Sequence, residues 1–219
     1  MFLVRSGAIG GYEKLVKRLG GNPNALLATA GLSSVQLRNP NNYISYSKMA
    51  ELLELSAREF DEPCFGLLMA QYQNSSVLGD LNMAAFQQAT VGDAFDAASR
   101  NLYLHARGVR LRVETRGEST HVLIALEVRS ALGLSQIMQM SVVQVANFLR
   151  DQLQLNEPKF PLLLQQQEPD INTSIVDKAL LSRVRFGSAQ DGIRFASNWL
   201  EYKPNFDDES LRIHLRDYL

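Results

Sequence analysis

The sequence predicts an α+β fold: an N-terminal helical subdomain followed by an antiparallel sheet of hairpins packed against helices. Three observations carry this. Before residue 109 apolar side chains recur at helical spacing; at 109 the period switches to strict alternation; and no parallel βαβ run or glycine-rich phosphate loop follows any strand.

The elements follow in order. Leu15 and Leu19 set a helix over 12–19, ended by Gly20-Gly21. Asn22-Pro23-Asn24 opens a second, with Asn24 as N-cap and Gly31 as its end. Pro40 then breaks the chain. Met49, Leu52, Leu53, Leu55, Ala57 and Phe60 give a one-faced helix over 47–60, and Asp61-Glu62-Pro63 starts another through Phe65, Leu67, Leu68 and Met69. Beyond a loop at 73–76, residues 81–88 are helical. Thr90 and Asp93 form a capping box before a stripe of Val91, Ala94, Phe95, Ala98 and Leu102, which predicts a helix over 91–105. Val109, Leu111 and Val113 alternate with Arg110, Arg112 and Glu114. Val122, Ile124, Leu126 and Val128 return across a turn at Arg116-Gly117, completing a hairpin. A long helix over 134–153 is apolar around most of its girth and belongs deep in the fold. A strand over 160–167, a short helix over 176–181, a second hairpin pairing 184–186 with 193–195, and a last helix over 209–219 complete the prediction. Residues 1–75 form the helical part and 76–219 the α+β part of one compact unit.

Composition narrows the function. The chain has 219 residues, 46% hydrophobic and 21% charged, which suits a globular protein with a real core. Its 22 Lys and Arg against 23 Asp and Glu leave a net charge of −1, which argues against non-specific binding of nucleic acid or anionic lipid. No apolar run is long enough to span a membrane, and charges interrupt the short apolar start, so neither a membrane segment nor a signal peptide is expected. The single Cys64 cannot form an internal disulfide or a thiolate cluster, and the chain is expected to be cytoplasmic.

No catalytic residue, metal site or cofactor is expected. His105, His121 and His214 lie far apart at no ligand spacing, and neither a nucleophile elbow nor a Ser-x-x-Lys motif occurs. Cys64 follows Pro63 near a helix start, a setting that lowers a thiol pKa, but no His lies near it in sequence. Its other reading is a small buried side chain. Residues 25–37 have the outline of a helix-turn-helix. Only Arg38 is basic there, and Pro40 halts the second helix before it could follow a major groove, so the segment is expected to be structural.

Polar residues on apolar helix faces are more informative. Ser141 and Gln152 fall inside the stripe of Met138, Val145, Phe148 and Leu149, with Gln144 on its margin; Asn101 and His105 flank the preceding stripe. Two readings stand. These groups bond backbone or one another, or they converge on a small-molecule pocket between the helices at 91–105 and 134–153, floored by the strands at 109–115 and 122–128. The candidate ligand-binding set is Phe86, Asn101, His105, Ser141 and Gln144, with Phe86 as a wall. Such a lining suits an amphiphilic ligand better than a sugar.

Five stretches carry a family resemblance. GGNPNALLATAGL at 20–32 resembles an opening GGDPDALLARAGL pattern. LLELSA at 52–57 with EPCFGL at 62–67, VLG at 77–79 with TVGDA at 90–94, YLH at 103–105, and VRFG at 184–187 with IRF at 193–195 are similar, in order and spacing, to later motifs. Together they resemble the N-terminal effector domain, arabinose-binding-like, of AraC-type transcription regulators. The resemblance implies an effector-sensing and dimerising domain with a small-molecule effector and a homodimer partner. It implies DNA contact only through a C-terminal helix-turn-helix module, expected beyond Asp217-Tyr218-Leu219 and absent from this chain. The founding arabinose sensor folds as a jelly roll. This sequence is too helical for that, so no sugar-binding residue is carried over. The alternative is a ligand-free interaction module, which a filled core between the two helices would favour; an open cavity there favours sensing.

Overall fold

The computed structural model describes residues 2–130, 132–156, 158–171 and 174–205; the helix predicted over 209–219 lies outside them. Strand β1 (Leu3–Arg5) leads through a 3-10 turn to helix α1 (Tyr12–Arg18). Helix α2 (Pro23–Thr29) is capped by Asn22 rather than Asn24. The Asn22 side-chain oxygen accepts from the amides of Asn24 and Ala25, and Pro23 takes the first helical position, where no donor is needed. Helix α3 (Ser34–Leu37) is a single turn that stops before Pro40, too short to read a groove. Strand β2 (Tyr43–Ser45) pairs antiparallel with β1, Val4 opposite Ile44. No strand was expected this early, because three residues are too few to show alternation.

Helices α4 (Tyr46–Glu59), α5 (Phe65–Gln71) and α6 (Asp80–Phe86) follow. Helix α7 (Val91–Asn101) begins at the expected cap: the Asp93 amide donates to Thr90 Oγ1 at 3.1 Å, and that hydroxyl donates to Asp93 Oδ2 at 2.8 Å. It ends earlier than predicted. Leu102–Leu104 tighten into a 3-10 turn, so His105 lies beyond the helix.

Strands β3 (Val109–Arg116) and β4 (Ser119–Leu126) form the predicted hairpin, with Leu111 opposite Ile124 and Val113 opposite Val122. Helix α8 (Leu134–Gln152) comes next, then β5 (Leu162–Leu163), α9 (Lys178–Leu181), β6 (Val184–Arg185) and β7 (Gly192–Ala196). The main sheet has the order β3-β4-β7-β5-β6. The predicted second hairpin does not form. β5 inserts between β6 and β7, antiparallel to β7 but parallel to β6, and the strand predicted over 160–167 shrinks to two residues. The buried carboxylate of Asp191 explains the insertion: it accepts from the backbone amide and the side-chain amide of Gln165, both at 2.7 Å, and so holds this segment beside β7.

Helix α8 lies at the centre, with α4 and α5 on one side and the sheet on the other. Helix α5 has no side-chain N-cap of its own. Its free amides are met from α8: Gly66 N–H donates to Gln136 Oε1 at 2.9 Å and Leu67 N–H to Gln139 Oε1 at 3.4 Å. At its other end, Asn147 Nδ2 donates to the carbonyls of Ala70 and Gln73 at 3.1 and 3.0 Å. The two helices approach so closely that a Cβ on Gly66 would collide with the Gln136 carbonyl. Cys64, fully buried at this junction, has its thiol pKa pushed up to about 12 by burial and then by the negative charges of Glu62 and Glu168, which removes the nucleophilic reading. Among the described residues no helix is long and apolar enough to cross a membrane.

Gly66→Ala is therefore expected to destabilise the fold by about 2 kcal/mol or more, because backbone faces the new methyl and cannot rotate away. Urea denaturation with an unchanged slope and a lower midpoint is the expected result.

Candidate ligand-binding site

The hairpin turns the apolar face of β3 and β4 inward, so that Val109, Leu111 and Ile124 form a floor. Helices α7 and α8 stand on it. Their aromatic rings meet, Phe95 and Phe148 at 5.1 Å between centroids, and Phe95 continues through Phe195 to Trp199 in stacked contacts of 6.0 Å each. Where the helices diverge from the sheet, a cavity of about 50 Å³ remains. Its lining is mostly apolar, with Tyr46, His105, Ser141 and Gln144 as the polar members.

The five candidate residues divide. His105, Ser141 and Gln144 line the cavity. Asn101 does not: it is half-buried and its amide donates to Ala97 O, one turn back on its own helix, at 2.9 Å. Phe86, half-buried on α6, is not part of the lining either. Gln144 spends its amide on structure, donating to Ala8 O at 2.8 Å and to Gln73 Oε1 at 2.9 Å, so replacing it would loosen the N-terminal segment as well as the cavity wall. Ser141 hydrogen-bonds the hydroxyl of Tyr46, whose pKa is raised by burial in spite of that bond.

His105 is the least satisfied group in the cavity. It is 5% exposed, and its Nδ1 is buried with no partner among the described residues. Burial, and then the positive charge of Arg5, push its pKa down to about 3, so the ring is neutral at ordinary pH. The 3-10 turn after α7 brings it here, and the Arg5 amide holds the His105 carbonyl at 2.8 Å. A second cavity, of about 180 Å³, also has His105 in its lining. It shares Leu78, Leu81 and His105 with the first and is lined further by Arg5, Asn41, Tyr43 and Asp80. The Arg5 guanidinium is buried and donates to Asn41 Oδ1 at 2.5 Å.

Sequence reasoning missed Tyr46 and Arg5. Tyr46 is the first residue of α4, where N-cap logic draws the eye to Ser45, and Arg5 sits in a strand too short to be seen. Gln152, which shares the polar pattern of Ser141, is fully buried, and among the described residues neither atom of its amide has a partner; it does not line the cavity. Among the described residues no three His, Cys, Asp or Glu side chains gather as metal ligands. The arrangement offers an apolar chamber and a more polar one that share a neutral imidazole in their walls.

Comparison with known proteins bears on the family of this chain. VirS, an HTH-type transcriptional regulator of Mycobacterium tuberculosis, is 28% identical over 148 residues, which are 68% of this chain and 43% of VirS. The chain thus spans less than half the length of that relative. The crystal structure of the transcriptional regulator CdpR from Pseudomonas aeruginosa superposes with a TM-score of 0.49 at 18% identity, over 84% of this chain and 55% of CdpR. Residues 20–204 match the family described as the arabinose-binding domain of AraC transcription regulators, N-terminal. With most of its length inside that match, the chain belongs to this family: it is an N-terminal effector-binding domain of an AraC-type transcription regulator, not an enzyme.

Proposed function

We propose that this domain senses a small amphiphilic molecule, that the molecule occupies the paired cavities around His105, and that the domain works as a homodimer in the cytoplasm. The observation that carries the sensing reading is the buried, unpartnered Nδ1 of His105 at the junction of an apolar and a polar chamber. An unsatisfied buried polar atom costs free energy until a ligand supplies its partner. The apolar chamber contributes burial energy, and His105, with the Tyr46–Ser141 pair, sets orientation. Both chambers together fall short of the roughly 300 Å³ at which ordinary ligand pockets begin, so the effector is small or the lining yields on entry. The helical N-terminal part and the sheet part respond as one unit. The effector acts by population shift: it favours one arrangement and thereby changes how a C-terminal DNA-binding module is presented.

Three outcomes are expected. In a thermal-shift series of linear alkanols and of alkyl and aryl carboxylic acids, a member that fits should stabilise the domain by about 2.7 kcal/mol at a hundredfold excess over its Kd. Ser141→Ala and His105→Leu should each weaken its affinity about tenfold, whereas Asn101→Ala and Phe86→Leu should leave it unchanged. A flat response to the whole series would count against the site.

The second outcome concerns acid. Because the His105 pKa is about 3 in the fold against an ordinary 6.5, the unfolded chain binds a proton in that interval that the folded chain lacks. Stability is therefore complete above pH 6.5 and falls as pH drops toward 3. His121, also shifted downward, adds to the same loss, so the diagnostic is the difference: His105→Gln should lose less stability than the parent between those limits in urea titrations.

The third is assembly. Sedimentation at micromolar concentration should give a dimer; a strict monomer with and without ligand would remove dimerisation from the reading.

A further inference from the structure

A second concavity lies on the face of α8 roughly opposite the cavity. Gln144, Val145 and Phe148 face the chambers described above, whereas Val143, Asn147 and Arg150 line a groove of about 940 Å³ that runs toward α9. Among the described residues four cations line the groove, Arg150, Lys159, Arg183 and Arg185, against one acid, Asp177. That acid is engaged: its Oδ1 accepts from the Ala179 amide at 2.7 Å and caps α9.

The cations are unevenly satisfied. Arg150 has local compensation, from Asp151 at 2.7 Å and from the Asn147 oxygen at 3.0 Å. Among the described residues Arg185 donates to the carbonyls of Ser182 and Val184. Arg183 donates its Nε to Phe160 O at 3.1 Å and lies 4.9 Å from the centre of the Phe160 ring, but its Nη2 is buried with no partner. Burial, and then the charge of Arg150, pull its pKa down to about 10. Among the described residues Lys159, Arg183 and Arg185 make no ion pair. Three guanidiniums and one ammonium thus share one concave space that, among the described residues, has surplus positive charge. Guanidinium groups donate charge-assisted hydrogen bonds to carboxylate and phosphate oxygens.

We propose that this groove is a second binding site, for a small molecule bearing carboxylate or phosphate groups, held between Arg150 and Arg183 with Lys159 and Arg185 closing around it. The concavity and the half-buried guanidinium of Arg183 select a compact anion over the convex backbone of a duplex. This site stands apart from the effector cavity, and either can fail without the other.

The test is calorimetric titration of the 219-residue chain with citrate and with pyrophosphate, at ionic strength held constant with sodium chloride. The two probes separate a carboxylate from a phosphate source. Saturable binding of at least one is expected. Arg183→Gln and Arg150→Gln should each weaken it by about tenfold or more, while Arg38→Gln, on an exposed surface elsewhere, should not. Arg183→Gln removes an uncompensated charge, so its ligand-free melting temperature should not fall. If it does fall, Arg183→Lys, which keeps the charge but loses the fork, supplies the comparison and should still bind less tightly than the parent. The proposal is overturned by the absence of saturable heat beyond the chloride control, by equal losses in Arg38→Gln, or by a short DNA duplex that displaces both anions with higher affinity.

Discussion

The fold depends on one helix capping another. Helix α5 is seven residues long and buried along most of its length, so both its ends present backbone groups that water cannot reach. The amides at its start and the carbonyls at its end find partners on α8, where Gln136, Gln139 and Asn147 sit at the right depth to reach them. A further bond from each glutamine to Pro63 O at 3.1 Å fixes the turn that enters α5. An apolar α8 would leave these groups orphaned, at a cost of about 1–3 kcal/mol for each. The amides therefore set the rotation of α8 about its own axis. That rotation delivers Ser141, Gln144 and Phe148 to the cavity and Arg150 to the groove.

A second constraint comes from the end of α7. Had the α-helix continued to residue 105, His105 would have remained on its stripe. The change to 3-10 geometry at Leu102 tightens the turn from about 3.6 to about 3 residues and brings the imidazole to the cavity wall, its Nδ1 without a partner among the described residues and its backbone carbonyl accepting from the Arg5 amide. The N-terminal strand is thereby stitched to the wall of the cavity. Beside the Arg5 guanidinium, Gly79 takes φ 61° and ψ −132°, a backbone conformation that side chains rarely adopt, which is why glycine stands there.

The long elements were legible in the sequence because each carries enough residues to display a period. The β3–β4 hairpin shows three alternations on each strand, and α8 nineteen residues of helical pattern. The two-residue strands β5 and β6 have no period to show, and their order in the sheet is decided by Asp191 and Gln165, a tertiary bond invisible to local reasoning. The Asn22 cap was misplaced by two residues because both asparagines flank Pro23, and only the proline preference for the first helical turn separates them. At the site, helical phase located His105, Ser141 and Gln144 but not what satisfies them. Gln144 is held by Ala8, an atom no helical wheel includes, and Asn101 turns back on its own helix.

The outermost strand of the main sheet has one more consequence. Among the described residues β3 pairs on one side only, and its outward-facing row is Arg110, Arg112, Glu114 and Arg116, with ion pairs of 2.6 to 2.8 Å that join Glu114 to Arg112 and Arg116, and Arg110 to Glu127. A strand from another copy laid against this edge would bring arginine against arginine and break a charge ladder already complete within one chain. An eight-residue strand with a free edge is the geometry from which sheets propagate into aggregates. Here the alternation that marks the strand in the sequence also stops it from recruiting another.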